Sequence, residues 1–192
     1  MTSMPKWPKW GEYLILVGMC CLAYVLTFWM QAKYMTRFDY MPRASLFFIP
    51  AGVKLVAFIV SRSAGLVGIS LGTLLTLSMD TSWNPPFWGD FVSSFQFFCL
   101  LPYLGTLGIM KVLGIDRDLR QMSVVQLMAL SVLASVVNGL CINAYMLLEG
   151  AIDFHEFNIG TLAATAGDVT GIAFTLLVVS FYPKLVKILE KK

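Results

Sequence analysis

Residues Phe47–Gly65 read FFIPAGVKLVAFIVSRSAG, an apolar run that carries a Pro-Ala-Gly step and a single lysine. A bilayer-crossing helix needs about 20 mostly apolar residues, and this run has that character. Lys54 then stands where a lone charge costs about 2.5–3.5 kcal/mol on insertion scales. What the rest of the chain offers this lysine decides how the molecule is built.

Working outward, the 192 residues are 58% hydrophobic and 13% charged, whereas a soluble domain carries about 25% charged residues. There is too little polar surface to coat a globule. Apolar runs bounded by charges or turn residues predict six helices over about 13–31, 44–60, 64–79, 87–110, 121–148 and 159–183. The expectation is an all-α, multi-pass bundle of about six transmembrane helices, a single integral membrane domain over 1–192. Only Ser61, Arg62 and Ser63 separate the second and third runs, so these two form a tight hairpin or one crosses incompletely.

The basic start, MTSMPKWPKWGEY, is not a signal peptide: the following run is too long for an h-region and no small-residue cleavage site follows it. Trp7 and Trp10 are expected to anchor at one interface, and Trp83 and Trp88 of TSWNPPFWGD at the other. The inner segments would hold Lys6, Lys9, Arg62, Lys111, Arg117, Arg120, Lys184, Lys187, Lys191 and Lys192, and the outer loops only Lys33, Arg37 and Arg43. That bias predicts cytoplasmic N- and C-termini. The net charge of +3 thereby reads as topology rather than as a nucleic-acid patch. YPKLVKILEKK ends soon after the last helix, so any output is expected from another protein.

Four polar side chains fall deep within the runs: Lys54, Asn138, Asn143 and Asp168. Counted from the outer helix ends at about 1.5 Å per residue, Lys54, Asn138 and Asp168 all lie roughly 14–15 Å deep. A lysine and an aspartate at one depth predict an interaction, direct or through water, that removes most of the burial penalty. Snorkelling of the lysine, or one of the two groups held neutral, would serve the same end. Pro50 and Gly52 precede the lysine, and Gly167 and Gly171 flank the aspartate, with Thr165 and Thr170 close by. Interrupted helices around a polar cavity are one reading of that pattern. Close small-xxx-small packing, at Gly68/Gly72 and Gly167/Gly171, is the other. Asn138 and Asn143 point to different sides of their helix, one to the cavity and one to a neighbouring helix.

The remaining chemistry is thin. Cys20, Cys21, Cys99 and Cys141 all lie in apolar runs without a CxxC pair and read as buried small hydrophobes. Asp153, His155 and Glu156 match no strong metal spacing and read as a solvated loop. The mixed charges of GIDRDLRQMS bond locally or dock a partner. A single histidine argues against haem held by two histidines. No catalytic constellation, cofactor or metal is expected.

Two stretches, FIPAGVKLVAFIVSRSAGLVGISLGTLL and TAGDVTGIAFTLLVVSFYP, resemble motifs of membrane-associated sensor (MASE-type) domains. The first matches a P-x-G helix followed by a G-x-x-x-G helix, the second a last helix with Gly-Asp, a further Gly and a closing Pro. The resemblance covers roughly 44–77 and 160–183 and carries Pro50, Gly52 and Asp168 onto the motif; Lys54 departs from it. It implies a multi-pass sensory module of the bacterial inner membrane, usually fused to a kinase or a cyclic-dinucleotide enzyme. For this chain the implied function is binding a small ligand or partner helices at a midplane site of Lys54, Asp168, Asn138, Asn143, Pro50, Gly52, Thr165, Gly167 and Thr170. The expected partners are the lipid bilayer and a membrane protein supplying output or energy. The alternatives are a substrate-binding transport component and a structural subunit of a larger membrane complex.

Overall fold

In a computed structural model of the protein, the described residues are 9–41, 44–79, 89–116, 119 and 121–189. The expected interface roles of Trp7, Trp83 and Trp88, and most of the 114–123 loop charges, lie outside them. Seven helices run in chain order among the described residues: α1 (Lys9–Tyr34), α2 (Ile49–Val56), α3 (Arg62–Met79), α4 (Gly89–Phe95), α5 (Leu101–Val112), α6 (Val124–Leu148) and α7 (Phe154–Leu189). A short antiparallel pairing, β1 (Asp39–Met41) with β2 (Ala44–Ser45), follows α1. π turns at Ala57–Ser61 and Gln96–Leu100 join α2 to α3 and α4 to α5.

Five helical stretches among the described residues are long and apolar enough to cross a membrane: Lys9–Tyr34, Ile49–Ser78, Val92–Val112, Val124–Leu148 and Phe154–Phe181. The second and third expected spans thus share one helical stretch, but it is not straight. Arg62 has φ 51° and ψ −122°, a conformation outside the helical region. A Cβ on Gly65 would collide with the carbonyl of Ala57, although eight residues of straight helix would separate those positions by about 12 Å. The chain therefore folds back at Arg62, with α2 and α3 as two arms.

α2 occupies the centre of the bundle. Ile49, Pro50, Ala51, Gly52, Lys54 and Leu55 are all buried. α1 and α7 pack against it, α6 packs on α5 and α7, and α3 lies along α1. An apolar core joins Ala51, Leu55 and Ile59 to Met110, Leu130, Ala134 and Ile172. The opposite helix faces are apolar as well, with Leu14, Leu22, Leu26 and Trp29 of α1 exposed. A helix apolar on all sides fits lipid on the outside and protein within.

The expected break of the second span at Pro50–Gly52 is corrected. Residues 44–48 are not helical, with bends at Leu46 and Phe47, and Pro50 sits in the first turn of α2, where its missing N–H costs nothing. Gly52 lies inside the helix, against Gly171 and Thr175 of α7. α7 likewise runs unbroken through Gly167 and Gly171. A Cβ on Gly167 would overlap the Ser45 carbonyl, and one on Gly171 the Phe48 carbonyl. Both glycines let the backbone of residues 45–48 lie directly on α7. Gly68 and Gly72 do the same for α3 against α1.

Local sequence sets the helix ends. Ser123 accepts from the Gln126 N–H at 3.1 Å while the Gln126 side chain accepts from the Ser123 N–H at 2.9 Å. Asp153 and Glu156 form the same reciprocal arrangement at the start of α7, with bonds of 2.7 and 3.0 Å. Gly114 takes φ 64° just after α5, the left-handed position that ends a helix.

Candidate functional site

The non-helical segment 45–48 is the first irregular feature that shapes the site. Non-helical backbone that enters a bilayer has to be satisfied by protein. Phe48 N–H donates to the Gly167 carbonyl at 3.0 Å, and Thr170 Oγ1 donates to the Leu46 carbonyl at 2.9 Å. Gln31, buried near the end of α1, does the rest. Its Nε2 donates to the Phe47 carbonyl at 2.8 Å and to Ser45 Oγ at 3.3 Å, and its Oε1 accepts from the Ile49 N–H at 3.3 Å. One amide thus caps α2 and ties down the strand before it.

One turn into α2, Lys54 points into the bundle. Its Nζ donates to the carbonyl of Phe98 at 2.5 Å and to Asn138 Oδ1 at 2.6 Å. Phe98 lies in the π turn Gln96–Leu100, where the regular hydrogen-bond ladder is loosened; such turns recur at functional sites. Asn138 Nδ2 in turn donates to Asp168 Oδ2 at 2.6 Å. Lys54, Asn138 and Asp168 are all buried. The ammonium also lies 6.0 Å from the centre of the Phe58 ring, within cation–π range.

The expected lysine–aspartate interaction therefore takes a corrected form. Lys54 and Asp168 make no ion-pair contact; the Asn138 amide links them, its oxygen facing the cation and its nitrogen the anion. This is the orientation that both charges require, since an ammonium only donates and a carboxylate only accepts.

A cavity of about 230 Å³ opens on one side of this relay, lined by Tyr24, Phe28, Gln31, Asp39, Ser45, Phe48, Thr73, Thr76, Phe98, Lys54 and Asn138, among others. It lies between the arms α2 and α3 and reaches the end of the bundle that carries β1. On the other side, Lys54, Asn138 and Asp168 face Thr106 and Ser135 across a cavity of about 20 Å³, room for about one water. Lys54 and Asn138 line both the large chamber and the small one, and Asp168 lines the small one.

Of the nine expected site residues, Lys54, Asn138 and Asp168 converge. Gly167 and Thr170 hold the segment 45–48, and Pro50 and Gly52 start α2 and seat it on α7. Thr165 packs against Gly139. Asn143 donates to the Gly139 carbonyl of its own helix at 2.9 Å and lines neither cavity. Gln31, Ser45, Thr73, Thr76 and the backbone of Phe98 are not singled out by reading the sequence. Gln31 is the one with a sequence signal, a polar residue at the edge of an apolar run. Asp153 and Glu156 serve as caps for α7, and among the described residues no cluster of three or more His, Cys, Asp or Glu could hold a metal ion. Compared with protein-family models, with curated proteins and with solved structures, the chain matches none.

Proposed function

We propose that this chain is a sensor-like membrane module that binds a small ligand in the chamber above Lys54. The supporting observation is that a 230 Å³ cavity in an apolar bundle ends on a buried ammonium. An ammonium buried only for packing needs no chamber beside it. A ligand reaching Lys54 competes with Asn138 for it, so the two states differ in contact energy, as any ligand-driven switch requires. Asp168 rides on α7, 36 residues without a break and about 54 Å long. A change at the relay thus moves a rod longer than the hydrocarbon core is thick, about 30 Å.

In this reading the arms α2 and α3 each cross the bilayer, giving six crossings with both termini cytoplasmic, in the inner membrane of a bacterium. A membrane protein partner receives the motion of α7. The motif resemblance to MASE-type domains supports the sensory role and the location. The small cavity beyond the relay favours a second reading, a transport component in which the relay is a gate between two chambers.

The test is gentle-detergent purification with mass spectrometry of co-purifying small molecules and proteins, on the wild type and on Thr76→Trp, which fills the chamber. A small molecule lost from the variant, with a signalling partner retained, supports the sensor. Solute uptake into proteoliposomes by the chain and its partner, abolished by Asp168→Asn, supports transport. A chain that carries no small molecule and falls apart only with its partners is a structural subunit.

A further inference from the structure

Resting on the chamber as a ligand site, we infer that its ligand is an organic monoanion, with a carboxylate or similar group at Lys54 and an apolar or aromatic body above it. An ammonium has three donors. Lys54 spends two, on the Phe98 carbonyl and on Asn138, and both acceptors are neutral. Its nearest carboxylate partner is reached only through the Asn138 amide. A third acceptor carrying negative charge completes the coordination and places an anion in direct contact with the ammonium, which Asp168 behind Asn138 does not. The chamber is where that acceptor fits, because Lys54 lines it.

The walls and the mouth narrow the class. Tyr24, Phe28, Phe48 and Phe98 give an aromatic lining for an apolar body. An apolar cavity of about 150 Å³ already takes up benzene, so 230 Å³ accommodates a monocyclic acid or a short acyl chain. Asp39 stands on the far, strand-pair end of the same chamber. A second negative charge at that end would meet Asp39, which disfavours dicarboxylates and places the single charge at the deep end.

The test uses a matched set on the full chain in detergent: benzoate, benzylamine and benzyl alcohol, read by calorimetry and thermal shift, with laurate as the membrane-partitioning acid. Benzoate is expected to bind at least tenfold more tightly than the amine or the alcohol. Lys54→Arg should keep most of that preference and Lys54→Met should erase it. Thr76→Trp, which leaves Lys54 in place, should abolish benzoate binding even if Lys54→Met fails to fold. Tighter binding of laurate than benzoate identifies a membrane-derived acid, and the reverse an acid from the aqueous phase; either supports the inference. If benzyl alcohol binds as well as benzoate and both are lost in Thr76→Trp, the chamber is a ligand site and the anion inference is overturned. If none of the four binds to folded protein, the ligand-site reading falls with it.

Discussion

Asn138 stands between Lys54 and Asp168, taking the ammonium at 2.6 Å on its oxygen and reaching the carboxylate at 2.6 Å with its nitrogen. Neither charge is neutralised by contact with the other; each is satisfied by one end of an amide dipole. Asn138→Leu removes both ends at once and should cost about 3–5 kcal/mol, the range for breaking a buried charge pair. The exchange Asn138→Asp with Asp168→Asn keeps every donor facing an acceptor and brings the carboxylate to the lysine. It should recover most of the loss, measured as thermal unfolding in detergent. An exchange variant as unstable as Asn138→Leu would mean that the amide does not carry the pair.

The relay also makes a prediction about coupling. Lys54→Met and Asp168→Asn should each destabilise, and their double-mutant cycle should show an interaction of about 0.5–3 kcal/mol. Because the link runs through Asn138, the same cycle in an Asn138→Ala background should shrink toward zero. An undiminished interaction there would show that the two charges sense each other directly through space.

The depth of these residues is legible in the sequence, because helical rise alone converts position along the chain into depth. Lys54, Asn138 and Asp168 fall at one level on that count, and in the folded chain they meet. What counting does not supply is the form of the backbone between helices. Residues 45–48 are apolar enough to continue a helix, yet they stay out of it, because Gly167 and Gly171 leave α7 bare for them and Gln31 satisfies their polar groups. A carbonyl such as that of Phe98 has no sequence signature at all, since any residue in a π turn would present one. The glycines beside Asp168 illustrate the same limit. Their identity signals a special position, but whether it breaks a helix or admits a neighbour depends on what packs there.

That distinction is measurable. Gly167→Ala and Gly171→Ala place a methyl on the backbone carbonyls of Ser45 and Phe48, atoms that cannot rotate aside. Each should cost at least the 1–3 kcal/mol typical of overpacking. Gly18 and Gly108 are helical glycines with nothing within 4 Å of an added Cβ. Gly18→Ala and Gly108→Ala should be neutral or stabilise by up to about 1 kcal/mol, the helix-propensity difference. Equal effects at all four sites would remove the packing account of Gly167 and Gly171.

Gln31 should matter more than its place at the end of α1 suggests. Gln31→Leu leaves the Phe47 carbonyl and the Ile49 N–H without the amide that serves both. The Phe47 carbonyl keeps the Ser45 hydroxyl at 3.1 Å, so the cost should be about 1–3 kcal/mol for the Ile49 N–H left without an acceptor. Gln31→Glu keeps an acceptor for Ile49 but loses the donor to Phe47, so it should fall between wild type and Gln31→Leu. Because Gln31 also lines the chamber, both variants should weaken ligand retention. Loss of stability without any change in retained ligand would confine Gln31 to a structural role.

The reversal at Arg62 bears on how the chain is threaded. The helical part of the first arm, Ile49–Ser61, rises only about 20 Å at helical spacing, less than the hydrocarbon core of about 30 Å. Residues 44–48 are not helical, with Ala44 and Ser45 in β2 and bends at Leu46 and Phe47, so the arm spans the core only with this non-helical part included. If it does, Ser61 and Leu113 reach one face of the membrane and Leu46 and Gly150 the other. In a background with the four native cysteines replaced, Ser61→Cys and Leu113→Cys should react with an impermeant maleimide from one side only. Leu46→Cys and Gly150→Cys should react only from the opposite side. A Ser61→Cys that labels from neither side, while Leu113→Cys labels normally, would make Ile49–Ser78 a re-entrant pair. The tip of that pair would then end within the bilayer, and the chain would have four crossings instead of six.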